Sequence, residues 1–264
     1  MVALQKLNQD YSKPCLYRLI QLLEVLGKTL ERIQARRLAY FAAKYCLFPS
    51  TQYGGITGRL AQDAVLTIVH DIEAAWNHDQ ATTMLTFDIT GFFDTILHSY
   101  LIDSLHNFNI PLPIINWVHS FIQDHQATIC LDGKQDGLKP VSTGILQGLC
   151  TSLILAAYFT APMCKAISKG TKEKIKKDQE LSTLMNTGKA SHAPLTLYVD
   201  DGSIVASAHN HTTSTKIVEL AFQTAHDWLT THGHHGQLIK WTLIARVFVD
   251  LFRGLRGIFS LVYV

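Results

Sequence analysis

The chain has 264 residues, enough for one large domain or two small ones, and 47% are hydrophobic, so a substantial core can form. The formal net charge is only +2, and overall charge therefore gives little argument for a nucleic-acid partner. The five cysteines include no Cys-x-x-Cys pair, which favours buried thiols in a reducing compartment over a disulfide framework. No signal peptide is predicted, and no uncharged apolar run reaches about 18 residues, so no transmembrane helix is predicted.

The first part of the chain is predicted to be mainly helical. Residues 1–14 are interpreted as a strand end and a loop, and residues 19–45 as a helix. The apolar stripe predicted for that helix consists of Leu22, Leu23, Val25, Leu26, Leu30 and Ile33. A glycine-rich bend at 54–58 beside Arg59 is suited to approach phosphates, and is equally consistent with an ordinary loop. Residues 60–76 form an amphipathic helix, predicted to serve packing.

The second part is predicted to mix strands, hairpins and helices. In chain order these are a strand at 83–89, helices at 97–108 and 113–123, a hairpin of 127–131 with 137–141, a buried helix at 148–163, a hairpin within 195–206 and a helix at 211–231. Six lysines between 165 and 177 are interpreted as a solvated linker, with a phosphate-contacting loop as the alternative. Three histidines at 232, 234 and 235 have no cysteine nearby and are interpreted as loop residues rather than zinc ligands.

Three aspartates at strand ends are the candidate chemical groups. Asp200 and Asp201 are adjacent, and the pattern predicts a tight turn at Asp200-Asp201-Gly202 between two strands. Neighbouring carboxylates repel, so one has a raised pKa unless a cation lies between them. Asp88 ends another apolar strand, and three convergent carboxylates can hold two Mg²⁺ ions about 3.5–4 Å apart for phosphoryl chemistry. The alternative is a plain hairpin, because Asp-Gly is a common turn pair.

Five motifs follow one another along the chain. They are the stretches 17–33, 52–64, Phe87-Asp88 with Phe93-Asp94, Gly144-Ile-Leu-Gln147-Gly148 with Ser152, and Tyr198-Val-Asp200-Asp201. In this order they resemble the fingers and palm motifs of reverse transcriptases, especially those of non-LTR (LINE-type) retrotransposons of fungi. The likeness covers roughly residues 9–244. No single motif is specific, but five in order are.

The resemblance implies an α+β fold of the right-hand polymerase type. Its palm would be an antiparallel sheet backed by helices, its fingers would be helical, and the thumb would be missing. Residues 1–80 would be the fingers, 81–244 the palm, and 245–264 a divergent apolar tail of out-of-frame or intron-derived sequence, with an amphipathic membrane helix as the alternative. The implied activity is RNA-directed DNA polymerase, acting on an RNA template, a DNA primer and dNTPs with two Mg²⁺ or Mn²⁺ ions. The expected location is the nucleus or cytoplasm, without secretion or membrane binding.

The resemblance also implies a role for individual residues. The catalytic positions are Asp88, Asp200, Asp201 and Lys240, where the lysine would give a proton to the leaving pyrophosphate. The metal ligands are Asp88, Asp200, Asp201 and the backbone carbonyl of Ile89. The nucleotide-binding positions are Phe93, Gln147, Gly148 and Arg59, and those for nucleic acid are Lys28 and Tyr198. Phe93 occupies the position where a ring clashes with a ribose 2′-hydroxyl, which favours DNA precursors.

Several motif positions depart from the family pattern. Ile56 replaces an arginine that would hold the triphosphate, and losing such a charge-assisted contact costs about 1.5–3 kcal/mol. The other departures are Leu19, Leu146 and Cys150 in place of proline, Leu60 in place of serine and Phe92 in place of alanine. These changes leave two alternatives open, a catalytically inactive nucleic-acid-binding remnant of a retroelement and a different palm polymerase such as an intron maturase.

Overall fold

A computed structural model describes residues 2–5, 17–20, 24–89, 91–123, 125–128, 130–131, 134–135, 137–141, 144–191, 193–232 and 239–245. The chain forms two compact units, one from Met1–Phe48 and Gly91–Phe159 and the other from Pro49–Thr90 and Thr160–Val264. Each unit therefore combines two separate stretches of sequence. These units do not follow the continuous ranges 1–80 and 81–244, whose assignment to fingers and palm stays a prediction.

The elements alternate along the chain. In order they are β1 (Val2–Gln5), β2 (Tyr17–Ile20), α1 (Val25–Lys44), β3 (Gln52–Tyr53), α2 (Ala61–Asn77), β4 (Ala81–Ile89), α3 (Phe92–Thr95), α4 (His98–Asn107), α5 (Leu112–Ile122), β5 (His125–Ala127), β6 (Cys130–Leu131), β7 (Lys134–Gln135), β8 (Lys139–Val141), α6 (Cys150–Lys177), α7 (Gln179–Asn186), β9 (Leu195–Tyr198), β10 (Asp201–Ala208), α8 (His211–Thr231) and β11 (Ile239–Ala245). The helices predicted for 60–76, 97–108, 113–123 and 211–231 are confirmed to within two residues.

The first unit contains small sheets, and one of their strands replaces the start of the first predicted helix. Residues 17–20 form strand β2, paired antiparallel with β1, so the helix predicted from residue 19 begins only at Val25. Pairing with a distant strand has overridden the local helical pattern. The hairpin predicted for 127–141 is two nested pairs, β5 with β8 and β6 with β7.

The buried face of α1 differs from the predicted apolar stripe. The buried residues are Glu31, Ala35, Leu38 and Ala42, whereas Val25 and Leu26 are 83% and 77% exposed. Two hydrogen-bonding groups of α6 meet this buried face, since Tyr158 Oη donates to the Leu38 carbonyl at 2.9 Å and Thr151 bonds to Glu31. Leu22 and Leu23 lie outside the described residues. For the rest, the predicted stripe was wrong, because Leu38, small residues and polar contacts face the core instead.

The second unit contains a five-stranded sheet in the order β11-β4-β10-β9-β3. The first four strands are antiparallel, and β3 runs parallel to β9. Along β4, Leu85, Phe87 and Ile89 are buried while Asp88 is exposed, as expected for side chains that alternate between two faces. Helices α2 and α8 both pack on this sheet, and the Phe87 ring lies edge-on to Phe222 of α8 at 6.0 Å.

Helix α6 extends well beyond its predicted end. Its 28 residues include the lysine-rich stretch 165–177, so the predicted linker was wrong. Buried side chains at Ile167, Thr171 and Ile175 give that half a core-facing stripe, which keeps it helical. By length and hydropathy α6 could cross a membrane, but 72% of its apolar window is buried inside the protein, the pattern of a core helix. Helix α7, capped by the Asp178 carboxylate, was not predicted.

The histidine cluster and the tail are only partly described. His232 ends α8, where its Nδ1 lies 2.7 Å from the Trp228 carbonyl and its ring stacks on the Trp228 indole at 4.2 Å. This residue therefore has a structural partner. His234, His235 and residues 246–264 of the predicted tail lie outside the described residues, as do residues 6–14 of the stretch interpreted as a strand end and a loop.

Candidate active site

Adjacent strands bring two of the predicted carboxylates together. Asp201 of β10 is the register partner of Asp88 of β4, and Lys240 of β11 is the next register partner of Asp88. Directly opposed residues of an antiparallel pair have Cβ atoms about 4.5–5.5 Å apart. Both aspartates are exposed. The sheet thus places three of the four predicted catalytic positions, Asp201, Asp88 and Lys240, in one row across its strands.

The turn beside this row differs from the predicted turn. Tyr198 and Asp201 are the last register pair of the hairpin, so the turn residues are Val199 and Asp200 rather than Asp200-Asp201-Gly202. Val199 has a φ of +59°, which is rare for a β-branched residue. The Asp200 carbonyl accepts a 3.4 Å hydrogen bond from the Ile89 amide of β4. This bond ties the turn to the strand that carries Asp88.

Position 202 lies inside β10, and it is a glycine because the neighbouring strand leaves no space for a side chain there. Its register partner is Phe87, and a Cβ at position 202 would lie 2.2 Å from Phe87 Cζ. The Phe87 ring is itself 4% exposed, so it has little space to move away. The glycine that suggested a turn is therefore required by the aromatic ring on the neighbouring strand.

We expect Gly202→Ala to lower the free energy of unfolding by about 2 kcal/mol, because overpacking a filled core costs about 1–3 kcal/mol. In urea unfolding, adding Phe87→Leu to Gly202→Ala should recover part of that loss, since the smaller side chain makes room. Gly137→Ala is the matched control, because a Cβ there meets nothing within 4 Å. Strict additivity of the Gly202 and Phe87 effects would contradict this explanation.

The carboxylate pair carries unbalanced negative charge. Partial burial raises the pKa of Asp201, and the negative charge of Asp88 raises it further. A divalent cation between two such carboxylates relieves this repulsion, and carboxylate oxygens are the ligands that Mg²⁺ prefers, so the pair fits a metal ion. No group of three His, Cys, Asp or Glu residues within the described ranges is close enough to hold an ion. The metal role of Asp200 stays a prediction.

The raised pKa of Asp201 predicts a pH-dependent stability. Below about pH 3.9, the ordinary pKa of aspartate, Asp201 is protonated in both the folded and the unfolded chain, so it does not lower the free energy of unfolding. Above that pH the unfolded chain releases the proton first. The free energy of unfolding therefore falls with rising pH until the carboxyl of the folded chain ionises too. Asp201→Asn should therefore raise the free energy of unfolding at pH 7 by about 0.5 kcal/mol, a solvent-screened value. Melting temperatures from pH 3 to 7 test this, with the exposed Asp103→Asn as control. A melting temperature equally sensitive to pH in both variants would contradict it.

The glycine-rich bend lies against the aspartate turn. A Cβ at Gly54 would lie 2.6 Å from Val199 Cγ2, so the bend and the turn are in close contact. Arg59 Nη1 donates to the Pro49 carbonyl and, at 2.8 Å, to the Gln52 carbonyl. The guanidinium thus stabilises the bend, and its contact with a nucleotide stays a prediction.

Phe93 and the Gln147 segment meet within the first unit. The Phe93 carbonyl accepts a 2.7 Å hydrogen bond from the Ile145 amide, and His98 Nε2 lies 2.7 Å from the Gly144 carbonyl. Phe93 and Gln147 are half-buried, and Gly148 is exposed with a φ of +93°. Two predicted nucleotide-binding segments are therefore held side by side.

Glu31 is a site-supporting residue that sequence reasoning did not identify. It is 3% exposed, its Oε1 accepts the Thr151 amide at 2.5 Å, and its carbonyl accepts Thr151 Oγ1 at 3.1 Å. A carboxylate at a helix N-terminus caps free amides and complements the helix dipole. Glu31 therefore anchors α1, which carries the exposed Lys28, to the helix that follows Gln147 and Gly148. No local motif indicates this pairing.

A largely antiparallel sheet with two exposed aspartates paired on adjacent strands, and with helices packed against it, has the architecture of a polymerase palm. Residues 9–246 match the family model described as Reverse transcriptase (RNA-dependent DNA polymerase). The chain belongs to this family.

Curated proteins that are similar in sequence come from transposable elements. The chain is 23% identical over 163 residues to the "Probable RNA-directed DNA polymerase from transposon BS" of Drosophila melanogaster (62% of this chain, 18% of the relative). It is 24% identical over 147 residues to the "RNA-directed DNA polymerase from mobile element jockey" of the same fly (56% and 16%). The chain thus spans less than a fifth of these curated relatives.

Solved structures share its fold. Apo telomerase from Candida tropicalis, truncated from its C-terminal domain, aligns with a TM-score of 0.50 at 16% identity (81% of this chain, 40% of that chain). Telomerase from Candida albicans in complex with a TWJ fragment of telomeric RNA aligns with a TM-score of 0.51 at 12% identity (85% and 36%). At these identities the likeness shows the fold alone, and it agrees with the predicted palm.

Proposed function

We propose that this chain is the fingers and palm portion of an RNA-directed DNA polymerase of a non-LTR retroelement, which extends a DNA primer on an RNA template with dNTPs. The observation that carries the proposal is the register pair of the exposed residues Asp88 and Asp201, at one end of the adjacent strands β4 and β10. Family membership supports the reaction class. We further propose a nuclear or cytoplasmic location, consistent with the free thiols at Cys46, Cys130, Cys150 and Cys164.

Asp88 and Asp201 are proposed to supply the carboxylate oxygens for Mg²⁺ or Mn²⁺, with Asp200 and the Ile89 carbonyl as further ligands for two ions. Divalent ions bound there would lower the pKa of the primer 3′-hydroxyl and neutralise charge on the triphosphate. Asp88 and Asp201 also hold their charges on adjacent strands, so this geometry exists before substrate binds. Lys240, in register with Asp88, is proposed to donate a proton to the leaving pyrophosphate.

The remaining predicted residues are proposed to position the nucleotide and the template. Phe93, held through its carbonyl by Ile145, would exclude a ribose 2′-hydroxyl and so select dNTPs. Gln147 and Gly148 would lie against the incoming nucleotide, with Gly148 allowing close backbone approach. Lys28 and Tyr198 are exposed and are proposed to contact the nucleic acid.

A second candidate is a nucleic-acid-binding remnant without turnover. It is favoured by one specific observation, that Arg59 bonds to loop carbonyls while Ile56 stands where the family places an arginine. The triphosphate would then lack a charge-assisted partner from this bend. Salt-sensitive binding of nucleic acid without nucleotide incorporation would identify this case.

Primer extension on poly(rA)/oligo(dT) with Mg²⁺ or Mn²⁺ tests the proposal. The wild-type chain should incorporate dTTP, and a variant with both Asp200→Asn and Asp201→Asn should not. Replacing dTTP with UTP should abolish incorporation if Phe93 selects the sugar. A folded wild-type chain that incorporates no more than the double variant would support the remnant instead.

A further inference from the structure

Two short stretches of the first unit are joined by three hydrogen bonds. The Gly144 amide donates to the Ile96 carbonyl at 3.2 Å, and the Ile145 amide donates to the Phe93 carbonyl at 2.7 Å. The third bond is made by a side chain, since His98 Nε2 lies 2.7 Å from the Gly144 carbonyl oxygen. Gly144 is therefore held through both its amide and its carbonyl by residues at the start of α4.

The Gln147 loop, defined as residues 144–149, exposes mainly its tip. Four of its six residues are buried, whereas Gln147 is half-buried and Gly148 is exposed. The loop is tied to α6 as well, because Ser152 Oγ donates to the Leu146 carbonyl. The tip that faces outward is thus carried by a loop that is fixed on both sides.

The bond to Gly144 fixes the position of a hydrogen on the His98 ring. A carbonyl oxygen only accepts hydrogen bonds, so His98 Nε2 carries the hydrogen. The ring is half-buried, and a hydrogen bond that is partly shielded from water is stronger than a fully solvated one. His98 is the first residue of α4, which is anchored in the core by Leu101, Ser104 and Leu105. The ring therefore links an anchored helix to the Gln147 loop.

The Phe93 ring is held by other contacts. It lies edge-on to the Phe92 ring, with the ring centroids 5.3 Å apart, and Phe92 is 2% exposed. Phe92 in turn lies edge-on to Phe159 of α6 at 6.1 Å. Aromatic packing in the core thus sets the position of the Phe93 ring, whereas hydrogen bonds, one of them from His98, set the position of the Gln147 loop.

We propose that His98 is a positioning residue for sugar selection, because it holds the Gln147 loop at a fixed distance from Phe93. This role rests on the proposed function, in which Phe93 excludes a 2′-hydroxyl and Gln147 lies against the incoming nucleotide. A clash rejects a ribonucleotide only if the opposite wall of the site keeps the nucleotide from moving away from the ring. Groups that select in this way must be held within about 0.5 Å of their working positions.

Single-nucleotide incorporation on poly(rA)/oligo(dT), with dTTP and with UTP, tests this role on the full chain. His98→Leu should lower the ratio of kcat/KM for dTTP to kcat/KM for UTP about 10-fold, the loss expected for one hydrogen bond. His98→Gln should keep most of the wild-type ratio, because its amide can donate to the same carbonyl. The matched control is His106→Leu, which makes the same change at an exposed position of α4 and should leave the ratio unchanged.

The ratio separates a positioning role from a purely structural one. A substitution that only destabilises the fold lowers the active fraction for both nucleotides alike, so their ratio does not change. A folded His98→Leu variant with the wild-type ratio would therefore overturn the inference and leave the proposed polymerase function intact. A wild-type chain that incorporates neither nucleotide would reject the proposed function, and the sugar-selection role with it.

Hydrogen exchange followed by mass spectrometry tests the restraint without any nucleotide. The peptide that covers the Gln147 loop should exchange faster in His98→Leu than in the wild-type chain, because one of the bonds that hold the loop is lost. Exchange in His106→Leu should match the wild type. Equal exchange in all three proteins would show that His98 does not hold the loop, and would overturn the inference whatever the incorporation rates.

Discussion

Asp88→Asn is expected to lower primer extension by at least about 10³-fold. Asp88 is the register partner of both Asp201 and Lys240, so it lies at the centre of the row. Removing one anionic oxygen from a metal site forfeits several kcal/mol of transition-state stabilisation, and each 1.36 kcal/mol is a factor of ten in rate. Asparagine keeps the shape, and the loss of repulsion toward Asp201 should leave the fold at least as stable. The rate of single-nucleotide incorporation measures this.

The matched control is Asp103→Asn, which removes an exposed carboxylate from α4 in the other unit. It should leave incorporation unchanged within a factor of about two. Comparable activity of the Asp88 and Asp103 variants would contradict the catalytic assignment of the row.

Gly144→Ala is expected to produce the largest loss of stability, about 3 kcal/mol. Its φ is +81°, and a Cβ there would lie 2.7 Å from the Phe93 carbonyl oxygen and 2.8 Å from Asp94 backbone atoms. The left-handed conformation costs about 1–2 kcal/mol for a residue with a Cβ, and overpacking adds about 1–3 kcal/mol. Because the atoms in the way are backbone, they cannot rotate aside. Urea unfolding measures the change.

Gly188→Ala is the control that isolates backbone strain. Gly188 has a similar φ of +70°, but a Cβ there meets nothing within 4 Å. The free energy of unfolding of the Gly188→Ala variant should fall by only about 1 kcal/mol. Equal losses at both glycines would show that contact between Gly144 and the Phe93–Asp94 backbone contributes nothing.

The parts of the fold that local pattern determines were predictable. Helix α8 has both a clear apolar period and an Asn210 cap, so its bounds at His211 and Thr231 follow from the chain alone. Asp88 was recognisable because an exposed acid at the end of a buried strand has no packing role. The placement of the aspartates at strand ends suggested that they converge, but the register that pairs Asp88 with Asp201 was not predictable, since register depends on distant strands.

The parts that distant contacts determine were not predictable. The face that α1 buries is set by Glu31 and its bonds to Thr151, and no periodicity favours a buried glutamate. The turn lies at Val199 and Asp200 because Asp201 and Gly202 are already paired with neighbouring strands, and that pairing depends on distant residues. The lysines of α6 were interpreted as a linker because composition outweighed the buried stripe at Ile167, Thr171 and Ile175.

Mn²⁺ binding followed by electron paramagnetic resonance tests most directly whether the Asp88–Asp201 pair holds a divalent ion. Titrating Mn²⁺ into the wild-type chain with primer, template and dTTP should reduce the signal of the free ion. The Asp88→Asn variant under the same conditions should leave more of that signal, because its remaining carboxylate is a weaker site. Equal depletion of free Mn²⁺ by the wild-type chain and the variant would contradict the claim.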